Sequence, residues 1–296
     1  MTGADATGPR LGNISSASAG EAGPRVGLIG SHLAPFAAAC DLVGWRPVAL
    51  AGGAAELVNN IAAPAIDLDA AVAEQPLDIG IVATSRERRI GDAQALLDRG
   101  VHVLLVPDVD LPGAARLSTP GSGPSMLAVA APLIAAPTTG QWLSRIDEAS
   151  AIEHLSGRAG PANGPAGPLR WQLLALMTLA ARAAGWGQAS AARHDGTDVV
   201  LQFDSSNRTA RTSSTPATEP ATFAAQAAGP VDAIVLDALP DTRVEHNGTV
   251  VASARPDEHP AVRFGTAPLL RRFVADLRTR RPLLDGAFLA RLTVSA

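Results

Sequence analysis

The sequence predicts an α/β protein in two parts: a doubly wound parallel sheet, then an α+β domain whose open sheet is mostly antiparallel. Three observations predict it. Residues 25–53, RVGLIGSHLAPFAAACDLVGWRPVALAGG, read as strand, glycine turn, helix and strand, the first half of a βαβ unit. Apolar runs then alternate with helical stretches up to Val106, at the spacing of right-handed crossovers. From residue 188 on, the pattern changes to period-two alternation and carries a hairpin signal, Asn247-Gly248.

Each element has its own signal. Val26–Ile29 is a short apolar run ending at Gly30; residues 33–43 are Ala-rich and long enough for a helix, which Gly44 ends before the second run, 47–50. Residues 51–60 read as a Gly-rich turn into a short helix, and residues 66–75 as a strand end and a second short helix. LDIGIVA, 77–83, is continuously apolar, as a strand buried on both faces must be. A polar turn, 84–89, leads into a helix, 90–99, closed by Gly100, and VHVLLV, 101–106, is the next strand. PGSGP, 120–124, is a loop, and MLAVAAPLIAAP after it supplies the last strand of the first sheet. Residues 138–146 predict a helix, GRAGPANGPAGP (157–168) a flexible loop without packing content, and 171–184 an apolar helix ended by Gly185. Strands follow at ASAARHD, DVVLQFD, RTARTSS, AIVLDAL and RVEHNGTVVASA, and 267–280 has apolar residues at helical spacing. The organisation predicted is a disordered tail over 1–24, a first domain over 25–131 and a second over 132–296.

Composition removes several function classes. A net charge of −4 gives no reason to invoke nucleic acid or an anionic membrane surface, and no run approaches the ~18 apolar residues of a membrane span. The first 24 residues lack the apolar centre of a secretory signal, so a cytoplasmic protein is expected. Cys40 is the single cysteine, which excludes an internal disulfide and a Cys-cluster metal site; the six histidines are scattered without metal spacing, so no metal is expected. All 24 basic residues are arginine, and tyrosine is absent. Arginine does not release its proton at ordinary pH and forms no Schiff base. Lysine or tyrosine acid–base chemistry is therefore closed to this chain, and so is a P-loop lysine.

Three stretches carry a family resemblance: 25–30; LDIGIVATSRERRIGDAQALLDRGVHVLLVPDV, 77–109; and the tail LLRRFVADLRTRRPLLDG. In these the chain resembles the Gfo/Idh/MocA family, the glucose–fructose oxidoreductase and inositol dehydrogenase group. The second stretch follows that family's order of strand, Thr-Pro turn, helix, Gly-Lys-His-Val, strand and Glu-Lys-Pro. The resemblance spans roughly residues 25–296. It implies a Rossmann-like nucleotide-binding domain, NAD or NADP as cofactor, and a C-terminal domain whose open sheet carries substrate and a subunit interface.

The departures fall on the residues of chemistry. The family's turn is Gly-x-Gly-x-x-Gly; here Gly30 keeps its place while His32 and Pro35 stand at the other two. The second glycine lets backbone approach the pyrophosphate, and a proline removes an N–H. Ala51-Gly52-Gly53 stands where an acidic residue would meet the ribose. The catalytic lysine of Glu-Lys-Pro aligns with Pro107, and the Asp-x-Gly-x-His phrase falls on Gln172 to Leu176, with leucine at the histidine position. The turn survives as Thr84-Ser85.

The candidate cofactor contacts are therefore Gly30, Ser31, His32, Gly52, Thr84 and Ser85, and the candidate catalytic groups are Asp108 and His32. A tight turn explains Gly30 as well as nucleotide contact does, helix capping explains Thr84 and Ser85 as well as ribose binding, and a solvated helix face explains Arg86, Arg88 and Arg89. Asp108 and Asp110 follow the strand where the family's lysine sits. His102 is expected to be packed or capped, and Trp171 and Trp186 to be core or interface. Three functions remain open: an oxidoreductase homologue with a lost or rebuilt site, serving as a ligand-binding, partner-stabilising or regulatory protein; an active NAD(P)-dependent oxidoreductase on a sugar, polyol or related carbonyl; and a structural dimerisation protein. The expected partners are a small-molecule ligand and further subunits, either copies of this chain or an active homologue.

Overall fold

The computed structural model describes residues 23–51, 76–106, 125–160, 167–187, 189–195, 198–203, 208–215 and 220–279. Gly52, Asp108 and Asp110, the helices expected within 54–75, the loop at 120–124 and most of the expected tail lie outside them. The described chain divides into two compact units. One holds the residues up to Val106, then 125–130 and 270–279; the other holds 131–269.

In the first unit, β1 (Arg25–Gly30) leads into α1 (Ala34–Val43), then β2 (Arg46–Ala51), β3 (Ile79–Ala83), α2 (Arg86–Asp98), β4 (His102–Leu105) and β5 (Leu127–Val129). The five strands are all parallel, in the order β2-β1-β3-β4-β5. Val26, Leu28, Ile79, Ile81, Val103 and Leu104 are fully buried, which is why these strands read as unbroken apolar runs. Helix α1 buries Phe36, Ala39 and Cys40, spaced three and four apart on one face. It ends at Gly44 in the left-handed region (φ 71°), where Trp45 N–H reaches back to the Cys40 carbonyl at 2.9 Å.

The second unit opens with α3 (Pro132–Ala135) and α4 (Pro137–Glu148), then β6 (His154–Gly160), α5 (Gly167–Ala183), β7 (Ala189–Asp195), β8 (Asp198–Phe203), β9 (Arg208–Ser214), β10 (Thr222–Ala228), β11 (Ala233–Leu239), β12 (Arg243–His246), β13 (Thr249–Ser253) and α6 (Pro260–Arg263). Helix α7 (Thr266–Thr279) closes the described chain. The sheet order is β13-β12-β11-β10-β6-β9-β8-β7, antiparallel throughout except for the parallel pair β6–β9. The hairpin signal is realised: Asn247 (φ 52°) and Gly248 (φ 76°) form a turn with two positive φ angles between β12 and β13. Trp142 anchors α4 on the sheet, its indole N–H donating to the Ile234 carbonyl at 3.1 Å. Trp186 is buried against Phe203 edge-to-face at 5.6 Å.

Two expectations are corrected here. Gly157 to Gly160 is not a flexible loop but the end of β6, a central strand, and α5 already begins at Gly167. Glycine at 157 serves close packing: a Cβ there would lie 2.6 Å from Leu173 Cδ1, so its absence lets α5 rest on the sheet. Strand β10, TFAAQAA, gave no sequence signal because alanine favours helix. Pairing with β6 on one side and β11 on the other overrides that preference.

Candidate functional site

In the first unit, β1 and β3 are neighbours whose onward connections lead to opposite sides of the sheet order, to β2 and to β4. Ligands of doubly wound sheets sit outside the strands' carboxyl ends at such a reversal. Gly30 ends β1 there, at φ 115°. A Cβ on it would lie 2.2 Å from the Ala83 carbonyl carbon and 2.5 Å from Thr84 N. Only glycine lets the chain leave β1 so close to β3, and the Ser31 N–H then donates to the Ala83 carbonyl at 3.2 Å. Of the two readings open for Gly30, the tight turn is thus demonstrated.

His32 follows, exposed and at φ 59°. The backbone keeps a left-handed conformation where the resemblance expects the second glycine, although a side chain stands there. Helix α1 starts at once, with Leu33 as N-cap, no side-chain cap bond, no acidic residue in the first turn and Pro35 near its start. Its free N–H groups and positive end suit an anion, less the one donor that proline removes.

Thr84 follows β3 and is 4 % exposed, its Oγ1 buried without a hydrogen-bond partner. Ser85 is the N-cap of α2 in position only: its carbonyl accepts from Arg88 and Arg89 N–H, but its hydroxyl makes no cap bond. Arg89 donates through Nε to the Thr84 carbonyl at 3.0 Å, and Arg88 pairs with Asp92 at 3.5 Å. The structure thus brings Gly30, Ser31, Thr84, Ser85 and Arg89 to one strand edge. The residues present fit a nucleotide phosphate at the α1 N-terminus.

The helix that carries the Asp-x-Gly-x-His resemblance is α5, in the second unit. Gln172, at the aspartate's position, is 5 % exposed, and its Oε1 accepts the Leu133 N–H at 3.0 Å. Leu176, at the histidine's position, is fully buried. Gln172 is taken up by the start of α3, and Leu176 by the core.

Three of the remaining histidines have structural partners. His102 is buried, and its Nδ1 accepts the Met126 N–H at 3.0 Å, as a packed, capping histidine should. His246 Nε2 meets Asp232 at 2.8 Å, His259 Nδ1 caps α6 through Ala261 N–H, and His154 lies exposed on β6. Among the described residues there is no group of three or more side chains able to hold a metal, and no helix is long and apolar enough to cross a membrane. Burial pushes the Cys40 thiol up to about 12, so it does not serve as a nucleophile. At the amino edge of the first sheet, Arg25 grips Asp78 through Nε at 3.2 Å, Nη2 at 3.0 Å and its backbone N–H at 2.8 Å. Burial pushes the Asp78 carboxyl up, but these hydrogen bonds and the Arg25 charge together hold it below the ordinary carboxylate value.

No protein-family model and no curated protein matches the sequence. Solved structures do. A dehydrogenase from Chromobacterium violaceum is 18% identical, with 90% of this chain and 91% of that one covered and a TM-score of 0.68. UDP-N-acetylglucosamine 3-dehydrogenase GnnA from Acidithiobacillus ferrooxidans is 18% identical over 91% of this chain and 94% of that one, TM-score 0.68. GenD2 from gentamicin A biosynthesis, solved in complex with NAD, is 14% identical over 91% of this chain and 90% of that one, TM-score 0.70. With its parallel sheet of β2-β1-β3-β4-β5 order and its second, mostly antiparallel sheet, the chain has the fold of the Gfo/Idh/MocA-type dehydrogenases.

Proposed function

We propose that this chain is a degenerate member of the Gfo/Idh/MocA family: an oxidoreductase homologue that binds a small ligand without turning it over, in a partner-stabilising or regulatory role. The observation that carries the reading is the fate of α5. The position of the family's histidine is a fully buried leucine, and that of its aspartate is a glutamine spent on a backbone N–H. No lysine exists anywhere in the sequence to stand in. General acid–base help is worth ~10²–10⁴ in rate, and its usual carriers are gone together.

The nucleotide cradle tells a milder story, which supports retained binding. Gly30 keeps its turn, and the α1 N-terminus is free of acidic side chains. NAD or NADP, when bound, supplies the hydride chemistry; the chain's own residues bind and orient it. His32 is the one side chain placed where backbone should approach a pyrophosphate.

The test is a calorimetric titration with NAD⁺, NADH, NADP⁺ and NADPH, followed by turnover assays on sugars and polyols. We expect weak dinucleotide binding that tightens in His32→Gly, and no turnover in either protein. Micromolar binding together with oxidation of any polyol, abolished in Asp108→Ala, would establish instead an active enzyme with a rebuilt site.

A further inference from the structure

We propose that β13 is a docking edge for a second copy of this chain: two β13 strands pair antiparallel across a two-fold axis at Val251 and join two eight-stranded sheets edge to edge. Three of the four large apolar side chains exposed among the described residues lie at this corner of the second unit, Val231 at 67%, Val250 at 53% and Val251 at 41%. Val250 and Val251 belong to β13 itself. Val231 sits beside the β12–β13 turn, where its carbonyl accepts from Asn247 Nδ2 at 3.2 Å. β13 ends the sheet order, and among the described residues it pairs with β12 alone. Its far side therefore carries unpaired backbone N–H and C=O groups next to exposed valines, the combination that recruits another strand.

The other ends of the two described sheets are defended. β2 carries an exposed Arg46 and then Pro47, which has no N–H to give. β5 has only three residues, all buried. β7, the opposite end of the same sheet as β13, carries the exposed Arg193. Charge, proline and shortness are the ordinary ways to blunt an edge. β13 reads Thr249-Val250-Val251-Ala252-Ser253, with three β-branched residues, no charge and no proline. Its one defence is a bulge: Val250 faces Glu245 and Ala252 faces Val244, so Val251 has no opposite residue on β12.

The sequence of β13 favours its own copy as the occupant. Laid antiparallel about Val251, Thr249 faces Ser253 of the copy, Val250 faces Ala252, and Val251 faces Val251. Hydroxyl meets hydroxyl, apolar meets apolar, and no charge meets its like. A two-fold contact requires such self-complementarity. Five residues make a small interface, so a monomer–dimer equilibrium is expected rather than a permanent dimer. The inference does not rest on ligand binding, and it puts the contact on the sheet's edge, not on its open face.

The test is sedimentation of the full chain over a wide range of concentrations. We expect the average mass to rise toward twice that of one chain. Val251→Lys sets two like charges opposite each other and should weaken self-association about tenfold or more. Crosslinking gives a second reading that does not depend on that variant folding. Under a mild oxidant Val251→Cys should form a disulfide-linked dimer, while Gln226→Cys, exposed in the middle of β10, should not; the natural Cys40 is buried and takes no part. A monomer at every concentration would leave the edge to some other strand and overturn the proposal. So would a dissociation constant unchanged in Val251→Lys, or a dimer linked through Gln226→Cys but not through Val251→Cys, which would put the contact on the open face.

Discussion

The turn after β1 and the first half of α5 both lack residues that the family resemblance expects, and they lack them differently. At the turn the backbone path is kept. A Cβ on Gly30 would stand 2.2 Å from the Ala83 carbonyl carbon of β3, and His32 holds a left-handed φ of 59° that a glycine would adopt at less cost. On α5 the backbone is also kept, but the side chains have been reassigned, one to the core and one to a backbone hydrogen bond. The turn is dictated by how two strands must pass, so the fold itself preserves it. On α5 no crossing of strands fixes the side chains, and a buried leucine and a hydrogen-bonded glutamine occupy the two positions. Under the proposed function the scaffold outlasts its chemistry, and the cradle persists longest where it is also structure.

The sharpest way to break this comparison is Gly30→Ala. A Cβ there meets backbone atoms of Ala83 and Thr84 that cannot swing aside, at a φ that L residues rarely adopt. A loss of more than ~3 kcal/mol in urea unfolding is expected, combining backbone strain with a clash. A tolerated alanine would mean that the turn is not structurally required, and its persistence would then need a ligand to explain it. Next comes Leu176→His, which restores the family's residue. In a retained but silent active site it would cost little; in a core position it should cost about 2–4 kcal/mol, from lost packing and a buried polar group. Chemical denaturation measures it, and a neutral result would return Leu176 to an open site.

How much of this was legible beforehand follows from what each residue depends on. The parallel sheet was readable because its strands are buried on both faces and therefore apolar throughout, and Asn247-Gly248 was readable because its turn is local. Strand β6 was hidden by Gly157 and Gly160, whose glycine content signals a loop but here serves close approach, and β10 was hidden by its alanines. At the site, Thr84-Ser85 was placed correctly at the strand edge, but Ser85's hydroxyl does not cap as the pattern suggests. Gln172's use by Leu133, 39 residues away, is a tertiary fact that no local pattern announces.

The smallest expected effect sharpens the comparison within the first unit, where the amino edge of the sheet is fastened by an ion pair and the carboxyl edge is where the ligand is proposed to sit. Asp78 is held below its ordinary value, so its contribution is present above the unfolded carboxyl's ~3.9 and is lost as pH falls through the lower folded value. The side chains of Arg25 and Asp78 are 44% and 31% exposed, and solvent screening holds the contribution below ~1 kcal/mol. Asp78→Asn should therefore melt slightly lower at neutral pH and lose less stability than the parent on acidification, with the two curves converging at the acid end. Ligand affinity at the carboxyl edge should not change, because Asp78 fastens strand starts while Gly30 and Thr84 stand at strand ends. An affinity that fell with Asp78→Asn would couple the two edges and show that the cradle depends on more than the crossing of β1 and β3.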